Sequence, residues 1–135
     1  MSFIANVDKY CVGHPMIDTD HRMLAEYINL LYEAVDSGAL VSEQSHLFAQ
    51  LIGQTKEHFQ REEALMQKMG YPGYAKHKAE HDMLLEEVQE LLVRFNAGSV
   101  ALTGNLFSYL EEWLTFHEVT SDKKLSDAVR LTAEE

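Results

Sequence analysis

Residues 58–81 read HFQREEALMQKMGYPGYAKHKAEH, and their spacing decides the fold. His58 and Glu62 stand four apart at one end of this stretch, and His77 and His81 four apart at the other. Residues four apart lie one turn above each other on one face of an α-helix. Gly70-Tyr71-Pro72-Gly73 between the pairs marks a turn. The stretch therefore predicts two helices, each carrying a pair of metal-ligand residues on a single face. Two further motifs flank it: His21, in Asp18-Thr19-Asp20-His21, and His117-Glu-Val-Thr-Ser-Asp122. Five histidines and two carboxylates of this kind are hard to explain as packing, and they point to a binuclear metal site.

Working outward, the periodicity predicts four helices. The first starts at an Asp18 or Thr19 cap and stops before Gly38, with His21, Leu24, Ile28, Leu31 and Val35 as its apolar stripe. The second starts at a Ser42 cap and ends near Met69, with Leu47, Leu51, Thr55, His58, Glu62, Leu65 and Met69 on one side. The third spans 74–96 through His77, His81, Leu84, Val88, Leu91 and Phe95. The fourth spans 103–121 through Leu106, Leu110, Trp113 and His117. Residues 1–17 lack a sustained period and read as an ordered loop arm, and 123–135 as a short helical tail. The expected architecture is all-α: one domain over 1–135, with an up-down-up-down antiparallel bundle over 18–122.

The ligand residues occupy positions in these seams. A buried histidine or carboxylate without partners costs several kcal/mol, roughly, so seven such insertions require cations. Antiparallel order also gathers them. His21, His77 and His81 lie near helix starts, and His58, Glu62, His117 and Asp122 near helix finishes, so all seven fall at one end of the core. His117 and Asp122 are the exception in spacing, because five residues at about 100° each leave them about 140° out of line on a regular helix. Either the helix widens into a local π-bulge or it ends before Asp122; the bulge is expected, since such turns recur at functional sites.

Composition narrows the function. At 135 residues and 46% hydrophobic, with two prolines, the chain is long enough to bury a core. No stretch is apolar enough to span a bilayer, and the first residues have no basic segment before an apolar run. The lone Cys11 suits a reducing compartment and reads as a small buried filler, so the cytoplasm is the expected location. A formal charge of −11 argues against nucleic acid or anionic lipid as a partner.

A first histidine after Asp18-Thr19-Asp20, then HxxxE, HxxxH and HxxxxD in that order, resembles the hemerythrin family. The run from His58 to Met66, followed by Gly70-Tyr71-Pro72, is similar to its single-domain bacterial members, and the likeness extends from Tyr10 to Asp122. The resemblance implies a non-haem centre of two irons, joined by an oxo or hydroxo bridge, that binds O₂ reversibly. His77, His81 and His117 would hold one iron, His21 and His58 the other, with Glu62 and Asp122 bridging. Of the twelve positions on two six-coordinate irons, the histidines fill five, the carboxylates four and the shared bridge two. The one left open, on the iron with two histidines, is where O₂ would bind. One departure is visible: many bacterial members carry a tryptophan in the arm, where this chain offers Phe3 and Tyr10. The polar Thr115, just before His117, is a second feature to place.

Plainer readings absorb other residues. A single core histidine is usually structural, but convergent HxxxE, HxxxH and HxxxxD motifs require three coincidences. His14 and His46 match no motif and read as arm or surface. Glu63 is out of phase with His58 and is expected to face solvent. Met66, Met69, Met83 and Trp113 read as core. Zinc protease chemistry is disfavoured because no glutamate directly follows His77. Ferritin-like oxidases use glutamate-rich sites, whereas five neutral imidazoles favour ferrous iron and reversible binding. A binding protein, not an enzyme, is therefore the expectation, with a di-iron oxidase or peroxidase-like enzyme ranked behind. Two roles remain open: an O₂ carrier or store serving a partner oxidase, or the O₂ or redox sensor of a signalling protein with a diguanylate cyclase or chemoreceptor output. Residues 123–135 are expected to be less protected than the second and third helices.

Overall fold

The computed structural model describes residues 3–134, and their side chains apart from those of 117–119 and 133–134. The chain folds as an all-helical, up-down-up-down bundle. After a 3₁₀ turn at Val7–Tyr10 come α1 (Pro15–Asp36), α2 (Val41–Met69), α3 (Tyr74–Asn96) and α4 (Gly104–Trp113). A π-helical turn at Leu114–Glu118 leads directly into α5 (Val119–Glu134), so α4, the π turn and α5 form the fourth rod. No helix among the described residues is long and apolar enough to cross a membrane.

Helix α1 starts three residues before the expected cap. Pro15 occupies its first turn, where a missing N–H costs nothing, and His14 Nδ1 accepts the N–H of Ile17 at 3.4 Å. Asp18, expected as a cap, instead holds the arm, with one carboxylate oxygen 2.6 Å from the Val12 nitrogen and the other 3.2 Å from that of Gly13. Likewise α2 begins after Leu40 with no side-chain cap, so Ser42 does not play the part predicted for it. Gly70 ends α2 at φ +65°, the left-handed conformation that lets the Tyr71 N–H reach back to the Met66 carbonyl at 2.9 Å.

Two apolar clusters lie along the bundle. The larger includes Leu24, Ile28, Phe48, Leu51, Leu84 and Phe107, and the smaller is Val12, Ile17, Met66 and Leu125. On each rod the ligand residues fall between them: His21 between Ile17 and Leu24, His58 and Glu62 between Leu51 and Met66, and Asp122 between Leu114 and Leu125. The arm is packed rather than loose. Phe3 meets Tyr32 and Phe107 at ring centroid distances of 5.0 and 5.9 Å, and Tyr10 is 1% exposed.

Several residues depart from expectation. Met66 is buried, but Met83 is 65% exposed, because it lies on the outer face of α3 between His81 and Leu84. Cys11 is half-buried and Thr115 exposed, whereas Trp113, though half-buried, packs against the larger cluster as expected. The tail is not a thin appendage: Leu125 and Ser126 are buried, and the Ser126 hydroxyl donates to the Val12 carbonyl at 3.2 Å.

Candidate metal centre

Six of the seven predicted ligand residues converge. His21, His58, His81, Glu62 and Asp122 are 0% exposed and His77 is 4% exposed. His117 lies in the π turn, and its side chain falls outside the described residues.

The six divide into two groups that share both carboxylates: His21, His58, Glu62 and Asp122, and Glu62, His77, His81 and Asp122. Within each group the donor atoms lie within 4.8 Å of one another. Each carboxylate offers a different oxygen to each group. Asp122 Oδ2 lies 2.7 Å from His21 Nε2 and 3.6 Å from His58 Nε2, while Oδ1 lies 2.9 Å from His77 Nε2. Glu62 Oε2 lies 2.9 Å from His58 Nε2, while Oε1 lies 3.3 and 3.1 Å from those of His77 and His81.

The outer nitrogens explain why the inner ones face the carboxylates. His21 Nδ1 donates to the Tyr10 carbonyl at 2.6 Å; a carbonyl only accepts, so the proton sits on Nδ1 and the Nε2 lone pair points inward. His58 Nδ1 lies 2.9 Å from Asp20, and His81 Nδ1 lies 3.0 Å from Glu63. Lone pairs of imidazole therefore meet lone pairs of carboxylate in a dry interior. Only a cation between them makes that arrangement stable, so the donor set fits bound metal ions. A proton competes for the same place. Burial lowers the His77 pKa, but hydrogen bonding to Asp122 and then Glu62 outweighs it and carries the pKa up to about 10.

Two supporting residues were not legible as such. Asp20 is 6% exposed and takes hydrogen bonds from His58 and Arg61, the latter at 2.6 and 3.0 Å. Burial alone would raise its pKa, yet the bonds from His58 and Arg61 hold it below the ordinary carboxylate range. Glu63, expected to face solvent, turns to α3 instead, with its side chain 18% exposed against His81. Both acids stand directly beside a ligand in the sequence, Asp20 before His21 and Glu63 after Glu62. That offset rotates them about 100° toward a neighbouring helix, which was the available signal.

In the larger cluster, a small apolar cavity of about 30 Å³ is lined by residues that include Leu51 and Leu110 and by Leu24, Thr55 and Leu84, each one helical turn from a donor. Thr55 presents little polarity to it, since its hydroxyl donates to the Leu51 carbonyl at 2.8 Å.

The family model of the hemerythrin HHE cation binding domain matches residues 12–129. The chain belongs to the hemerythrin family. It is 33% identical over 130 residues to a bacteriohemerythrin from Pseudomonas paraeruginosa, covering 96% of this chain and 84% of that one. A bacteriohemerythrin from Methylococcus capsulatus is 33% identical over 106 residues, 78% of this chain and 80% of its own. Among solved structures, a wild-type hemerythrin crystal structure superposes with a TM-score of 0.81 at 31% identity, over 94% of this chain and 95% of that one. A point variant of hemerythrin gives 0.87 at 27% identity, over 94% and 97%. Hemerythrin membership implies non-haem iron as the cation, and the buried histidine and carboxylate cluster fits it.

Proposed function

We propose that the chain binds O₂ reversibly at a centre of two non-haem irons, acting as a single domain over 1–135. The observation that carries this reading is the division of labour between carboxylate oxygens, with Glu62 and Asp122 each turning one oxygen to either histidine group. That is the arrangement two bridged ions need and one tetrahedral zinc does not. Carried over from the family, His21 and His58 would hold one iron, and His77, His81 and His117 the other. Iron bound there would supply the electrons that O₂ binding requires. The protein's own part is to orient and to exclude water. Tyr10, Asp20 and Glu63 fix the tautomers of His21, His58 and His81. The apolar cavity one helical turn from the donors favours an uncharged diatomic molecule over water.

Five histidines against two carboxylates support binding over oxidase chemistry, and the exposed Thr115 adds no polar group to the apolar cavity. Metal analysis should find two irons per chain. The reduced protein should take up one O₂ per iron pair and release it under argon. A single zinc ion would sink the di-iron reading. Irreversible conversion to the ferric form in each cycle would leave the metal site standing and point to an oxidase or a redox sensor.

A sensor role has one observation in its favour. Asp122 sits in the first turn of α5, whose rod continues to Glu134, so movement of this carboxylate is passed along a rigid helix. Its buried anchors are Leu125 and Ser126. Hydrogen exchange should then differ between the diferrous and diferric states across residues 119–134. Identical protection favours the carrier.

A further inference from the structure

The outer nitrogens of the ligand histidines are backed unequally. His21 Nδ1 meets an uncharged group, the Tyr10 carbonyl. His81 Nδ1 meets Glu63, from which the Lys78 ammonium stays 4.0 Å away while it bonds to Asp82 at 2.8 and 3.1 Å. His58 Nδ1 meets Asp20, and there a cation is built in.

His58 and Arg61 stand three apart in α2, so their side chains are neighbours on the helix surface, and Asp20 of α1 reaches both. Arg61 grips the carboxylate at two points, with Nε 3.0 Å from Oδ2 and a terminal nitrogen 2.6 Å from Oδ1. Oδ2 also faces His58 Nδ1 at 2.9 Å. A guanidinium fork fixes the plane of the carboxylate it holds, which a single ammonium does not. It thereby fixes which oxygen is presented to His58. The other three arginines pair with exposed acids, Asp8, Glu90 and Asp127, whereas the Asp20 side chain is 7% exposed. Exposed pairs of that kind contribute little, but a cation on a buried acid that holds a metal ligand acts on the metal's electron balance.

We propose that Arg61 is a positioning residue of the metal centre that sets its ferrous–ferric balance through Asp20 and His58. The inference rests on the di-iron reading. Arg61 cancels the charge of Asp20, so His58 is backed by a neutralised acid. Without Arg61, the same carboxylate is an uncompensated anion that draws harder on the Nδ1 proton. The imidazole is then the stronger donor, and the ferric state gains. The effect enters through the His21 and His58 group, since Glu63 stands behind the other.

The test compares iron-loaded variants by redox titration. Arg61→Gln should shift the ferrous–ferric equilibrium about tenfold toward ferric, the low end of such effects because the Arg61 side chain is 40% exposed. For a one-electron step, tenfold corresponds to about 59 mV. Arg61→Lys, which keeps the charge without the fork, should shift it the same way by less, and it keeps the proposal testable if Arg61→Gln fails to fold. In the Asp20→Asn background, Arg61→Gln should add nothing, because its route is gone. Arg22→Gln, which removes an equal charge from an exposed pair on α1, should leave the equilibrium unchanged. A second readout needs no iron: in protein loaded with zinc as a diamagnetic probe, the His58 Nδ1 proton, followed by NMR, should exchange with solvent about tenfold faster in Arg61→Gln. An arginine that only ties α1 to α2 predicts a lower denaturation midpoint with neither change, and that result overturns the proposal. An equal shift from Arg61→Gln with and without Asp20 overturns it as well. Two irons with either result overturn it alone, whereas the absence of an iron pair overturns it together with the di-iron reading.

Discussion

Helices α2 and α3 place ligands by regular spacing; the fourth rod places its ligand by breaking that spacing. In α2, His58 and Glu62 are four apart and both 0% exposed, and in α3 the same holds for His77 and His81 to within 4%. In the fourth rod, the π turn at Leu114–Glu118 adds the rotation that a regular helix lacks, and Asp122 arrives at the centre fully buried. A regular helix tolerates a change at one ligand without moving the next. In the fourth rod one backbone irregularity sets the angle of everything after it, including Leu125 and Ser126.

The strongest way to break this comparison is to remove one residue from the π turn. Deleting Phe116, which is exposed, should restore a regular helix and rotate Asp122 by about 100°. Iron content should fall from two per chain toward none, and thermal stability should drop, since losing the burial of Leu125 alone costs about 2 kcal/mol. Full iron content in this variant would show that the bulge does not set the position of Asp122.

The regular helices are tested by smaller changes. Glu62→Ala should lose the paired metal, because it removes an oxygen from both groups. Asp20→Asn should weaken iron binding by about 10–100-fold, the usual effect of losing a carboxylate behind a ligating histidine. Glu63→Gln should fall at the low end of that range, as its side chain is 18% exposed and Lys78 stands 4.0 Å away. Iron titration of the three variants ranks them. Equal losses for Glu63→Gln and Glu62→Ala would erase the distinction between ligand and support.

The smallest effect joins the two regions. In protein stripped with a chelator, His77 of α3 is held protonated by Asp122 of α5 and by Glu62, with a pKa of about 10 against an ordinary 6.5. A raised pKa contributes stability that is complete below pH 6.5 and is lost as pH rises through about 10. Denaturant midpoints of the stripped protein should therefore fall across that interval, and Asp122→Asn should flatten the fall. The iron-loaded protein should not show it, because the metal takes the place of that proton.

Much of this was legible before any coordinates. The stripes of α1, α2 and α3 predicted the core faces, as Leu24, Ile28, Leu51, Leu84 and Val88 show by being buried. The awkward spacing of His117 and Asp122 predicted the bulge. Helix starts were less legible. His14 and Pro15 replaced Asp18 or Thr19 as the signal because a cap depends on where the arm leaves the helix. Met83 was misplaced for a related reason: an apolar residue between two seam positions has no periodicity to argue from.

The sequence by itself determined the helices, their order and the end of the bundle at which the ligands meet, because 3.6-residue periodicity and short connections are properties of neighbouring residues. The tertiary structure alone decided which groups stand behind those ligands. Asp20 serves a histidine 38 residues away, Glu63 one 18 residues away, and the Tyr10 carbonyl reaches His21 from the arm. Such pairings depend on the rotation of one helix against another, and no spacing within a single helix encodes that angle.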